Sequence, residues 1–239
     1  MRIGITRLRN EAEIIESTLS RLENHLDYVI AYDDCSDDGT YEILKDHPFV
    51  KGVLRNNEWQ TDPEDRKAAE TWQRQEIYQF AMLNHPDWIL YFDGDEHIYF
   101  DDIDWDSSKG YKFRLFDVYI TPDDVNKHFS EREMIGAEYR DIPMLFRPPA
   151  QFFNRLPLCF HEWQMGGTVK HFGKGISVKQ WEETCDYYIN HLNETLATGE
   201  TIAERWTKRK GKAIHTKSDF NHDLIKWDER HEKGFRNIN

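Results

Sequence analysis

Apolar positions along this chain fall into two rhythms, and the changeover between them sets the first prediction. Tyr28-Val29-Ile30-Ala31-Tyr32 and Trp88-Ile89-Leu90-Tyr91-Phe92 are uninterrupted apolar runs, the signature of strands buried on both faces. Residues 2–7 and Val50 to Leu54 read as further strands. Between them the spacing becomes helical. Ile15, Leu19, Leu22 and Leu26 predict a helix over residues 11–24, with Asn10 as its N-cap and Glu13 close to a capping box. Asp33 to Thr40 is a polar turn supplying caps for a helix over 39–46, and capping explains Asp37 or Asp38 better than Asp34. A long helix runs from about Arg66 to Leu83 with Ala69, Trp72, Phe80 and Leu83 on one face. Glu76 falls on that same face and needs a partner, for which a structural arginine is favoured over a ligand. The β-α-β-α-β order implies a parallel sheet with right-handed crossovers.

Beyond Glu96 the pattern loosens. Tyr111 to Phe116 alternates like a half-exposed strand, residues 121–141 read as a mobile surface excursion, and Met144 to Arg147 reads as a short strand stopped by Pro148-Pro149. A Gly166-Gly167 turn follows, and helical patterning returns from about residue 177 through Trp181, Cys185, Tyr188 and Leu192.

Composition narrows the function classes. A formal net charge of -13 argues against nucleic-acid binding, which needs a basic footprint. Three cysteines, Cys35, Cys159 and Cys185, are widely separated and read as reduced thiols. No apolar segment approaches a membrane span, and the strand-like opening predicts no leader. A cytoplasmic protein is expected, with peripheral membrane contact left open.

The candidate chemistry gathers at strand ends. Thr6-Arg7, Asp33-Asp34 and Asp93-Gly94-Asp95 each close a predicted strand, and in a parallel sheet these ends share one edge. Two carboxylates flanking a glycine can reach one hard divalent cation, and Gly94 offers no side chain to obstruct a phosphate. Asp34 could accept from a base N–H or a ribose hydroxyl. Neither a Gly-x-x-x-x-Gly-Lys loop nor a Gly-x-Gly-x-x-Gly fingerprint follows the first strand, which disfavours kinases and dinucleotide dehydrogenases.

Four pieces in order, Arg9-Asn10-Glu11, Asp33 to Thr40, Gln73-Arg74-Gln75 and Asp87 to Glu96, make the first hundred residues resemble family 2 glycosyltransferases of the GT-A fold. The resemblance implies an α/β, Rossmann-like, mostly parallel sheet flanked by helices. It also implies a D-x-D motif in which Asp95, with Asp93, meets Mn²⁺ or Mg²⁺ and the donor ribose. Thr6, Arg7, Glu11, Asp34, Arg74 and Gly94 are the further donor-side positions. The chain departs from the family at Gln75, where an asparagine is common. The second half resembles the acceptor side of some of these enzymes, through His161-Glu162 and His171. Glu162 is the candidate base, with Asp117 and Asp141 in reserve, and His171 is either a metal ligand or a satisfied histidine.

The basic island Arg205, Lys208, Arg209, Lys210, Lys212 and Lys217 is either a solvated helix face or a flap meeting an anionic ligand. The expected organisation is a domain over 1–176 with a helical extension over 177–239. The expected activity is metal-dependent, inverting transfer of a sugar from a nucleotide-diphosphate donor to a glycan, lipid or protein acceptor. A sugar nucleotidylyltransferase and a catalytically silent carbohydrate-binding protein are the alternatives.

Overall fold

The computed structural model describes the chain except residues 61, 160–161, 193, 232–235 and 238–239. Its architecture is mixed α/β, a large and mostly parallel sheet flanked by helices. In chain order the first half reads β1 (Arg2–Leu8), α1 (Ile15–Leu22), β2 (Tyr28–Asp34), α2 (Thr40–Asp46), β3 (Val50–Asn56), α3 (Pro63–Met82), β4 (Trp88–Phe92), β5 (Glu96–Phe100) and β6 (Gly110–Asp117). The second half continues with β7 (Met134–Ile135), β8 (Glu138–Phe146), β9 (Gln151–Phe153), β10 (Leu156–Leu158), β11 (Trp163–His171), α4 (Val178–His191), α5 (Ile202–Arg209), β12 (Ile225–Lys226) and β13 (Arg236–Asn237).

The main sheet runs β3-β2-β1-β4-β8-β6-β11-β5. β1 pairs in parallel with β2 and β4, β2 pairs in parallel with β3, and β8 joins β4 antiparallel. This order doubles back between β1 and β4, the place where open α/β sheets form a ligand crevice at the carboxyl ends of their strands. All five residues of β4 are buried, which is why the run is continuously apolar rather than alternating.

The chain divides into two compact units that interleave along the sequence. The first comprises Met1–Trp59, Lys67–Arg114 and Asp141–Val169, and the second Gln60–Arg66, Leu115–Arg140 and Lys170–Asn239. No single cut near residue 176 reproduces this division. The first unit's core joins Ile3, Ile5, Ile30, Tyr32, Ile89 and Tyr91 of the sheet to Ile77, Tyr78 and Ala81 of α3. In the second, Trp181 and Cys185 of α4 pack with Ala213, and Trp206 of α5 stacks on Tyr188 with ring centroids 4.3 Å apart.

Several expectations need correction. The buried face of α3 carries Gln73, Arg74, Ile77, Tyr78 and Ala81, whereas Trp72, Phe80 and Leu83 are exposed. Buried polar groups on that face had masked its phase. Helix α1 begins at Ile15, and Asn10 is not its cap, because Asn10 adopts a left-handed φ of 58° in the preceding loop. The segment 121–141 is no loose excursion. Phe129, Arg132 and Ile135 are buried within the second unit, and Arg132 donates to the carbonyls of Lys127, Gly175 and Ile176. Phe129 and Ile135 are its buried apolar residues, and the buried Arg132 guanidinium adds the polar anchorage that an apolar pattern does not show.

In the first unit, Gly167 sits at φ +143°, where a Cβ would lie 2.0 Å from the Tyr99 carbonyl oxygen, so β11 passes β5 only with glycine there.

Candidate active site

The carboxyl ends of β1, β2 and β4 carry a polar lattice that is almost wholly internal. Asp34 ends β2 and is 3% exposed. It accepts from the Arg7 guanidinium, from Gln73 Nε2 at 2.9 Å and from Asn56 Nδ2 at 3.1 Å. Arg7 also donates through Nε to Gln73 Oε1 at 2.9 Å and lies 3.7 Å from Glu70. Strands β1, β2 and β3 and helix α3 thus each contribute to one charge network. Thr6 is fully buried, and its Oγ1 has no hydrogen-bond partner among the described residues.

Two loops above this lattice grip one another. The N–H groups of Asn10, Glu11 and Ala12 donate to Ser36 Oγ at 3.0 Å, Thr40 Oγ1 at 2.8 Å and Asp38 Oδ2 at 3.0 Å. Asn10 and Asp37 exchange two further bonds, at 2.9 and 3.1 Å. The acidic turn after β2 therefore fastens the β1–α1 loop. Helix α2 starts from Gly39 at φ 100°, which has no side chain to cap it, and the Asp38 carboxylate takes the N–H of Thr40, the first helical residue, at 3.0 Å, so Asp38 serves the helix start as well as the loop, while Asp37 only fastens the loop. Asn10 and Cys35, left-handed at φ 58° and 61°, sit one in each loop.

The acidic turn follows β4 directly. The Asp93 N–H donates to Glu96 Oε2 at 3.0 Å and the Glu96 N–H to the Asp93 carbonyl at 3.2 Å. Thr18 of α1 donates to the Gly94 carbonyl at 2.7 Å. The position where Gly94 lacks a Cβ faces the Glu11 and Leu8 side chains at 3.0 and 3.3 Å, so this glycine lets the turn close on the β1–α1 loop. Asp93 Oδ1 accepts from the Tyr91 hydroxyl at 3.1 Å, which accepts from Arg74 Nε at 2.7 Å. Burial and the neighbouring Asp93 charge raise the Tyr91 phenol well above its ordinary range, so it stays a donor. Asp93 Oδ2 pairs with Arg155 at 2.8 Å, and the same guanidinium reaches the buried Glu96 at 2.5 Å. Asp95 is 8% exposed.

Among the described residues, no three His, Cys, Asp or Glu side chains gather to hold a metal ion. What the turn does offer is hard carboxylate oxygen at Asp93 and Asp95. That donor set fits Mg²⁺ or Mn²⁺, which retain water and substrate phosphate as ligands and need only one or two protein carboxylates. His171 belongs to the second unit, where its Nδ1 lies 2.6 Å from Asp117 Oδ1.

The three carboxylates considered as base differ in availability. Asp117 also binds Lys174 Nζ and Arg140, each at 2.7 Å. Burial would raise its pKa, but the His171 hydrogen bond and the Lys174, His171 and Arg140 charges hold it far below the carboxylate range. Asp141 is paired with Arg114 at 2.9 and 3.2 Å. Glu162 is accessible, with a side chain 79% exposed and 3.0 Å from Lys109. Its neighbour His161 lies outside the described residues. The basic island is largely paired within its own unit, Lys208 with Glu200 at 2.6 Å, Arg209 with Asp219 at 3.1 Å and Lys210 with Asp186.

No sequence motif named Arg155 or Asn56, and Gln73 and Glu96 fell inside the quoted motifs without being given a role. Gln73 had a signal, a polar residue near a supposedly apolar helix face, whereas Arg155 lies in a short hairpin with no motif around it.

Comparison with known proteins adds little. No family model matches the chain. Uncharacterized proteins of Mycobacterium bovis and Mycobacterium tuberculosis are each 33% identical over 93 residues, 39% of this chain. The chain spans only 23% of their length. A crystal structure of 4-diphosphocytidyl-2C-methyl-D-erythritol synthase matches 61% of this chain and 74% of its own, at a TM-score of 0.36 and 12% identity. That likeness is too remote to carry a functional argument. Among the described residues, no helix is long and apolar enough to cross a membrane.

Proposed function

We propose that this protein is a glycosyltransferase of the GT-A type, moving a sugar from a nucleoside-diphosphate donor to an acceptor hydroxyl with Mg²⁺ or Mn²⁺. One observation carries the reading. The Asp93-Gly94-Asp95-Glu96 turn stands at the carboxyl end of a fully buried central strand, beside the switch point of a 3-2-1-4 strand order. Asp95, with Asp93, would hold the cation, and the cation when bound would stabilise charge on the departing diphosphate.

The chain's own residues divide the remaining work. Arg7, Asp34, Gln73 and Asn56 fix the strand ends under the nucleoside, Arg74 and Tyr91 orient Asp93, and Gly94 and Glu11 seat the turn. Glu162, the accessible carboxylate, would take the acceptor proton. A sugar nucleotidylyltransferase is less well supported. Its phosphate cradle would need free amides after β1, and those of Asn10, Glu11 and Ala12 are already bonded to side chains.

A thermal-shift screen of UDP-, GDP-, dTDP- and CMP-linked sugars, with Mn²⁺ and with chelator, tests the proposal. A donor at about 100 times its Kd stabilises the fold by ~2.7 kcal/mol. A shift for one nucleotide that chelator removes is expected. A shift only with a nucleoside triphosphate plus a sugar 1-phosphate would favour the nucleotidylyltransferase, and no shift with any nucleotide would refute both.

A further inference from the structure

The acidic turn already contains a cation of its own. Arg155 lies between β9 and β10, and its guanidinium spans Asp93 at 2.8 Å and Glu96 at 2.5 Å. The hairpin is pinned. Phe152 is 3% exposed with its ring 5.3 Å from Tyr91, its N–H donates to Gln75 Oε1 at 3.0 Å, and the Ala150 N–H donates to Tyr78 at 2.8 Å. The Arg155 side chain is nevertheless 22% exposed, although its Nε–H, which has no hydrogen-bond acceptor among the described residues, is itself buried. Glu96 differs from Asp93 in being fully buried, so the guanidinium is its standing counter-charge.

Asp93 is already occupied on both oxygens, by Tyr91 and by Arg155. A metal ion seated on Asp93 Oδ2 would displace or crowd the guanidinium.

We propose that Arg155 is a diphosphate-binding residue and that Asp93 and Glu96 position it. This rests on the glycosyltransferase reading and deepens it. The recognised group is a nucleoside diphosphate, held by a planar guanidinium suited to bidentate phosphate contact as well as by metal. The donor is gripped in two ways, and only one of them depends on the ion.

The test is calorimetric titration of UDP, GDP and dTDP into wild-type, Arg155→Gln and Asp95→Ala protein, in Mn²⁺ and in chelator. Wild type is expected to keep weakened binding of one diphosphate in chelator. Arg155→Gln should lose about tenfold or more in both media. Asp95→Ala should lose only the Mn²⁺-dependent part. Arg155→Gln leaves Glu96 without its counter-charge, so a second measurement uses intact protein: phenylglyoxal labelling of arginines, mapped by mass spectrometry. The bound diphosphate should shield Arg155. Equal affinity in a folded Arg155→Gln protein, or undiminished labelling under saturating nucleotide, overturns the inference while leaving the glycosyltransferase reading intact. Failure of wild type to bind any diphosphate in either medium refutes both.

Discussion

Replacing Asp34 with alanine is the sharpest test of the lattice beneath the candidate site. The side chain is 4% exposed and accepts from three donors on three different elements, Arg7 of β1, Asn56 of β3 and Gln73 of α3. Removing it leaves the Arg7 guanidinium, itself 14% exposed, with the more distant Glu70 carboxylate at 3.7 Å as its counter-charge among the described residues. Breaking a buried ion pair by deleting one partner costs about 3–5 kcal/mol, because the surviving charge stays desolvated. In a chain of this size each kcal/mol moves Tm by roughly 2–4 °C, so a fall of about 6–20 °C is expected. Asp34→Asn keeps the shape and one acceptor oxygen, and should cost about 1.5–3 kcal/mol through its weakened bonds to Arg7 and Gln73. Thermal melts of the three proteins without nucleotide make the comparison. A loss below about 1 kcal/mol in the alanine variant, the value of an exposed ion pair, would refute the structural role and return Asp34 to the ligand.

Other consequences follow from single contacts. Gly167→Ala would place a Cβ 2.0 Å from the Tyr99 carbonyl oxygen, and soluble yield and melting temperature should fall steeply, by more than about 3 kcal/mol of stability. Asp95→Ala should abolish the Mn²⁺ dependence of nucleotide affinity in calorimetry, and unchanged dependence would remove Asp95 from the metal. Glu162→Gln should leave donor binding intact and depress transfer by about 10²–10⁴-fold, with wild-type turnover placing the base elsewhere. Asp117, with its folded pKa depressed, contributes stability that is complete above its unfolded value and lost as pH falls from about 5 downward. His215, lowered chiefly by burial, acts with the same sign through the histidine range, being stabilising when neutral above its unfolded pKa and lost on acidification. Urea melts across pH should therefore show an acid-induced loss, and the part below about pH 5 should flatten in Asp117→Asn.

The amino-acid sequence alone determined the first sheet and the location of the acidic turn. Continuous apolar runs at 28–32 and 88–92, five residues long and bounded by polar turns, read as strands covered on both faces, and helical periodicity between strands implies parallel crossovers. The strands β1 to β4 and the helices between them accordingly lie where the pattern puts them, to within a few residues, with the strand-end acids at one edge, whereas β5 (Glu96–Phe100) had no expected counterpart. The roles of those acids needed tertiary structure. Asp34 could have faced a ligand or the protein, and only the convergence of Arg7, Asn56 and Gln73 from different elements shows that it faces inward. Periodicity misplaced the face of α3 because Gln73 and Arg74 are buried by hydrogen bonds and charge, which an apolar pattern does not register. The tightly packed segment 121–141 escaped detection for the same reason, its order resting on Arg132 and backbone carbonyls rather than on hydrophobic spacing. Arg155 was the least legible of all. It lies sixty-two residues from Asp93 in sequence, and only the fold brings the two side chains to 2.8 Å. Local pattern encodes which segments are buried, whereas which charges meet is decided by chain crossings that no local window contains.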